Sequence, residues 1–142
     1  MKKRLLFISF VSLAFAGLIN AQFSDIYDFK YPGKFGESPN GSLVSDGTYL
    51  YGMTYGGTFN KWGTIFKVKP DGTGADTLLT FNGTNGGSPD ASGSLYYDGS
   101  FLYGATPYGG KDGDGVVFKI KPDGSGYSIL HSFSGSPDGG TP

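Results

Sequence analysis

The chain of 142 residues contains no cysteine. That excludes a disulfide framework and a lipid-anchored cysteine, so stability has to come from packing. Its one arginine is Arg4, inside a leader-like segment, and the rest of the chain carries eight Lys against twelve carboxylates, a formal charge of −4. Phosphate recognition leans on clustered Arg and Lys, so nucleic acid is excluded as a favoured partner. Histidine occurs once, at His131, and glutamate once, at Glu37, which leaves few groups for acid–base chemistry. No apolar run exceeds the 15 residues from Leu5 to Ile19, short of the roughly 20 that span a bilayer.

That run has the layout of an export signal. Lys2-Lys3-Arg4 is the positive region, Leu5 to Ile19 the apolar region, and Ala21 a small residue at the expected cleavage point. Residues 1–21 are therefore expected to be a signal peptide, with a mature chain from Gln22 that is secreted or displayed at the cell surface and has no membrane span. An uncleaved anchor is the alternative.

Glycine is abundant, 26 of 142 residues, against a usual ~7%. Disorder is excluded by 12 Phe, 10 Tyr and one Trp, most of which recur in register. Gly47-Thr48-Tyr49-Leu50-Tyr51-Gly52-Met53-Thr54 is answered by Gly99-Ser100-Phe101-Leu102-Tyr103-Gly104-Ala105-Thr106. Gly63-Thr64-Ile65-Phe66-Lys67-Val68-Lys69-Pro70-Asp71-Gly72 is answered by Gly115 to Gly124, again at an offset of 52. Ser136-Pro137-Asp138 matches Ser88-Pro89-Asp90 and Ser38-Pro39-Asn40. The units run from about 38 to 87 and from 88 to 135.

Four strands are expected per unit: around Ser42–Ser45 and Ser94–Tyr97, Thr48–Thr54 and Ser100–Thr106, Thr64–Lys69 and Val116–Lys121, and Ala75–Phe81 and Tyr127–Phe133. Asp46-Gly47, Asp98-Gly99 and the two Pro-Asp-Gly triplets supply the turns, because Gly accepts positive φ and Pro presets a negative one. Residues 23–29 match the fourth strand at the same offset, so an N-terminal strand lacking its own first three is expected. Tyr49, Tyr51 and Met53 oppose Leu50 and Gly52, and Phe66 and Val68 oppose Ile65. Apolar residues on both faces suit a sheet stacked between two neighbours. The fold expected for 22–142 is an all-β, propeller-like repeat of four-stranded antiparallel blades, two blades plus partial ones. Since rings close with about four to eight blades, a truncated or partial product is expected.

The segments Tyr51-Gly52-Met53-Thr54-Tyr55-Gly56-Gly57 through Gly63-Thr64-Ile65-Phe66-Lys67-Val68, and Tyr103 to Thr106 through Gly110 and Gly115 to Ile120, resemble the GloVer tandem repeat of exported bacterial proteins. Its pattern runs roughly YGTT-x-GG-x-GTVFK. The resemblance covers nearly all of residues 23 to 142 and departs at Met53, Ala105 and an extra Pro107. It implies a propeller-like secreted or surface-displayed protein, often with a C-terminal anchoring segment, and carries no activity to particular residues.

Catalytic signatures are missing: no G-x-S-x-G elbow, no H-E-x-x-H and no P-loop. His131 aligns with Leu79 and Tyr27 and reads as an edge or packing residue more than a general base. Most Asp residues sit in Asp-Gly turns, so paired carboxylates for glycoside hydrolysis are not evident. Asp112 and Asp114, in Lys111-Asp112-Gly113-Asp114-Gly115, are the metal candidates, with Ca²⁺ the ion such oxygen ligands would take; a solvated loop is the plainer reading. The equivalent loop, Thr58 to Trp62, carries Phe59 and Trp62 instead. Beside the recurring Tyr55 and Tyr108, Trp62 makes an aromatic set that could stack on sugar rings, or pack between blades. The expected function is a non-enzymatic extracellular scaffold or binding module for a glycan or protein, with no cofactor. The alternatives are a hydrolytic propeller enzyme with its catalytic groups in other blades, and a Ca²⁺-stabilised structural repeat.

Overall fold

The computed structural model describes residues 24–29, 36–56, 61–90, 93–136, 138–140 and 142. The expected signal peptide and Phe59 lie outside them. Eight strands form in chain order: β1 (Glu37–Ser45), β2 (Leu50–Gly56), β3 (Thr64–Val68), β4 (Asp76–Thr80), β5 (Tyr96–Tyr97), β6 (Leu102–Thr106), β7 (Val116–Ile120) and β8 (Ser128–Ser132). They make two four-stranded antiparallel sheets, β1-β2-β3-β4 and β5-β6-β7-β8, without closing a ring. Among the described residues no helix is long and apolar enough to cross a membrane.

The repeat read in the sequence is a repeat of register. Leu50 pairs with Val68 and Thr54 with Thr64 in the first blade; Leu102 pairs with Ile120 and Thr106 with Val116 in the second. The third and fourth strands of both blades carry a bulge at the same place, between Ile65 and Phe66 and between Val117 and Phe118. Gly52 is required by this pairing. A methyl group there would lie 2.6 Å from Phe66 Cζ and 2.7 Å from Leu43 Cδ2, and one at Gly104 would lie 2.6 Å from Phe118 Cζ. The absent side chain lets the third-strand Phe lie across the second strand, which thins each blade enough to stack.

Stacking follows the two-faced pattern. Tyr51, Met53 and Ile65 of the first blade are buried in one cluster with Leu95, Leu102, Phe118 and Ile120 of the second. Phe81 follows β4 and meets Phe118 edge-on at 5.6 Å between centroids. Tyr127 packs on Phe118 and donates its hydroxyl to the Asn85 carbonyl at 2.6 Å. Burial pushes the Tyr127 phenol up to about 12. Lysine side chains cover two of the exposed-face rings: Lys67 and Lys69 lie over the Tyr49 ring and Lys119 over the Phe101 ring.

Two expectations need adjusting. The first strand starts at Glu37, not Ser42, because 37–40 continue along β2 before an irregularity between Asn40 and Val44; its counterpart β5 keeps only two residues. Glu37 is therefore a strand residue opposite Gly56, not part of a loop. Residues 24–29 belong to neither sheet. They nevertheless dock on the first blade: Phe29 meets Phe66 edge-on at 4.8 Å.

Candidate functional site

Antiparallel alternation gives each blade two ends. The turns 46–49, 69–75, 98–101 and 121–127 share one end, the turn end. The loops that leave β2 and β6, and the exits of β4 and β8, share the other, the rim.

The turn end is built from repeated carboxylate clamps. Asp46 Oδ1 accepts the Thr48 and Tyr49 backbone N–H at 2.8 and 2.7 Å, and Oδ2 accepts the Tyr51 hydroxyl at 2.6 Å. Asp98 does the same for Ser100, Phe101 and Tyr103. Asp71 accepts from Thr73 and Asp123 from Ser125. For Asp46, burial pushes the carboxyl up, but the bonds from Tyr51, Tyr49 and Thr48 together leave it below its usual value. Asp98 is held low by the Phe101 and Ser100 N–H groups and by Tyr103. Each of these aspartates accepts hydrogen bonds from its own turn.

At the rim the second-strand threonine turns the chain. Thr54 Oγ1 donates to the Gly56 carbonyl at 2.8 Å, and Thr106 Oγ1 donates to the Tyr108 carbonyl at 2.9 Å. Both threonines are fully buried. The strand then passes its glycine, Gly63 or Gly115, held at φ +80° and +102°. Gly63 accepts the Phe81 N–H and Gly115 the Phe133 N–H, each at 3.0 Å.

This geometry corrects two sequence alignments. Tyr108 stands where Gly56 stands, as the two threonine bonds show, so the partner of Tyr55 is Pro107. Pro107 replaces Tyr55 and is not an extra residue, and the two tyrosines occupy neighbouring positions, not equivalent ones. Pro142 lies against Gly115 as Pro89 lies against Gly63, with ring Cδ atoms 2.8 and 3.0 Å from where a methyl group would be. The bridges Gly83–Gly86 and Gly135–Gly139 agree. Pro142, then, is the counterpart of Pro89, and Asp138 plays the part of Asn85: it accepts the Ser134 N–H at 3.0 Å as Asn85 accepts that of Asn82 at 2.7 Å. The offset here is therefore 53, one more than in the rest of the repeat, and the identical letters of Ser136-Pro137-Asp138, which match Ser88-Pro89-Asp90 at 48, hid it.

Two of the candidates fall on one structural position. Trp62 and Asp114 are equivalent, and each covers the glycine loop that leaves its own blade. The six-membered part of the Trp62 indole lies against Gly83 and Gly87; a methyl on Gly83 would sit 3.1 Å from Cζ2. The Asp114 carboxylate lies against Gly135 and Gly140 in the same way. Trp62 keeps 38% of its surface exposed, Tyr55 48% and Tyr108 50%. Tyr108 bridges to Gly87, so Trp62 and Tyr108 flank one loop from its two sides. The Tyr55 backbone carbonyl packs against Gly63, the residue after Trp62. The 83–87 loop under Trp62 is itself bonded to the second blade, with the Gly110 N–H donating to the Gly83 carbonyl at 2.8 Å.

Asp112 is exposed, and among the described residues no three His, Asp or Glu side chains converge as metal ligands. His131 occupies the strand position opposite Val117. Its Nε2 lies 2.9 Å from Asp138 Oδ2, and its ring stands edge-on to Phe133. This pair was not legible from the repeat, because it depends on the misaligned Asp138. Ser88, which sequence reading passed over, is a non-glycine residue at φ 47°, matched by Ser38 at φ 54°. It is buried, and its N–H donates to the Trp62 carbonyl at 2.7 Å, which fixes the tryptophan's backbone.

No relative matches the chain among curated proteins. The family comparison does match, across residues 15–142, and over both blades. With the register, bulges and glycine positions repeating as described, the chain belongs to the Gloeobacter/Verrucomicrobia repeat family.

Proposed function

We propose that the chain is a non-enzymatic, exported binding module that presents the rim of its blades to a glycan at the cell surface or outside the cell. One observation carries this reading: Trp62 is braced by Gly83 and Gly87 yet left 38% exposed, and the half-exposed Tyr108 bridges to the same Gly87. An aromatic ring held still by backbone and open to solvent loses little freedom when a sugar ring stacks on it. Four of the carboxylates, Asp46, Asp71, Asp98 and Asp123, are tied into turns. The leader-like composition of residues 1–21 supports export.

Trp62 is the only tryptophan, so its fluorescence reports on the site directly. Titration with neutral polysaccharides and their oligosaccharides is expected to quench or blue-shift the emission saturably. The same ligands should retard the native protein, but not Trp62→Ala, in affinity electrophoresis. Unchanged emission and mobility across neutral and acidic glycans would remove the glycan reading.

A further inference from the structure

The loop beneath the Trp62 indole is the exit of the first blade, yet the second blade holds it. Besides the Gly110 bond to Gly83, the Asn85 carbonyl accepts the Tyr127 hydroxyl, and the Gly87 N–H donates to Thr106 Oγ1 at 3.2 Å. Gly87 lies directly against the ring, for a methyl group there would collide with Trp62 Cε3. A movement of Gly87 is therefore a movement of the surface on which the indole rests.

Thr106 reaches two parts of the site at once. Its single hydroxyl accepts from Gly87 and donates to the carbonyl of Tyr108, the residue that bridges to Gly87. The side chain is fully buried, so water does not compete for either bond and each is costly to leave unmade. The matching hydroxyl of the first blade is used differently. Thr54 bonds to the Gly56 carbonyl and to Thr64, both in its own blade. Val116 stands at the place of Thr64 in the second blade and has no hydroxyl. What Thr64 gives to Thr54 is thus given to Thr106 by Gly87, from the neighbouring blade's loop.

We propose that Thr106, with Tyr127 as the second tie, is a positioning residue for the Trp62 site. Through this buried hydroxyl the second blade fixes the spacing between the floor of the Trp62 ring and the Tyr108 backbone. The site then belongs to two consecutive repeats, not to one. The contribution is to preorganisation: a ring whose floor is tied down has less freedom to lose when a sugar stacks on it. The part played in binding rests on the glycan reading above; the hold on the Trp62 ring does not.

The test uses the full chain. Trp62 is its only tryptophan, so time-resolved fluorescence anisotropy and acrylamide quenching read the ring without any ligand. Thr106→Val keeps the shape and removes the hydroxyl. It is expected to add a fast component of ring motion, to raise quenching, and to weaken binding of neutral oligosaccharides by about two- to tenfold, the cost of immobilising one side chain. Thr106→Ser keeps the hydroxyl and should restore both readouts. Tyr103→Phe, a change at the turn end, should lower stability while leaving both as in the native chain. Where Thr106→Val does not fold, Tyr127→Phe cuts the tie to Asn85 and should shift the same readouts in the same direction. Native ring motion in Thr106→Val and in Tyr127→Phe, or equal loosening in Tyr103→Phe, overturns the proposal, because the two residues would then serve stability alone. A native chain that binds no oligosaccharide, but whose ring is loosened by Thr106→Val and not by Thr106→Ser, removes the glycan reading and bears out the positioning role.

Discussion

The two ends of each blade obey different rules. At the turn end the blades are chemically interchangeable: Asp46 and Asp98 hold the same three donors, and Asp71 and Asp123 the same type of turn. Gly47 and Gly99 face open space there. At the rim the backbone is shared but the side chain is not, for Trp62 and Asp114 sit on equivalent glycine loops. The rim glycines are crowded, with Gly63 against the Thr54 carbonyl and Gly115 against that of Thr106. The fold thus fixes the rim's backbone tightly, and that rigidity lets its side chains vary.

The strongest test of this contrast is a pair of glycine substitutions. Gly63→Ala adds a collision with backbone to a left-handed φ and is expected to cost about 3 kcal/mol or more in denaturant unfolding. Gly47→Ala, at φ +91° but in open space, should cost only about 1 kcal/mol. Equal costs would show that crowding does not distinguish the ends.

Exchange at the rim comes next. Trp62→Asp should abolish glycan-dependent retardation, a loss of at least about 1.4 kcal/mol for each tenfold. Asp114→Trp should strengthen retardation by giving the second blade its own ring over Gly135. Both variants should melt close to the parent protein, since neither side chain is in the core.

A smaller effect is expected at the turn end. Tyr51→Phe leaves the Asp46 Oδ2 without its hydroxyl and should cost about 1 kcal/mol. Tyr103→Phe should cost less, because Tyr51 is buried and Tyr103 only half-buried. Reversal of that order in urea unfolding would mean that burial does not control these clamps.

The pH dependence of each single clamp is the smallest signal. Asp46, Asp71, Asp98 and Asp123 all titrate below the usual 3.8 in the folded chain. Their stabilisation is present above that value and is lost as pH falls through the lowered folded values. Thermal unfolding should therefore weaken below about pH 4, and Asp98→Asn should flatten that acid limb while lowering stability at neutral pH. Tyr127, raised to about 12, acts with the opposite sign. The stability it confers is intact below pH 10 and falls as pH rises beyond.

The fold was legible because strand pairing leaves a periodic imprint. Alternating Tyr51 and Met53 against Leu50 and Gly52, with Asp-Gly turns at fixed spacing, was enough to place the sheets and their stacked faces. The site was legible only in part. Trp62, Tyr55 and Tyr108 stood out as aromatics in a variable loop, but the bracing by Gly83 and Gly87 is a tertiary contact without periodicity. The Tyr55–Tyr108 and Ser-Pro-Asp matches failed for one reason. Identical letters aligned residues whose backbones, fixed by Thr106 and Gly139, occupy different positions. The fourth-strand motif of 24–29 was visible in the sequence, but its seat was not, because Phe29 on Phe66 is a tertiary contact.

The clamps also set an order in time. Asp46 and Asp98 close loops of two to five residues, whereas the rim is closed by Phe81 reaching back to Gly63 and Phe133 to Gly115. Short loops close fastest, so each hairpin should zip from its turns toward the rim. Kinetic φ-values are then expected to be higher for Tyr51→Phe than for Gly63→Ala. A rim that locks last contributes little to the barrier, so sequence drift there changes what the blade touches without slowing how it folds.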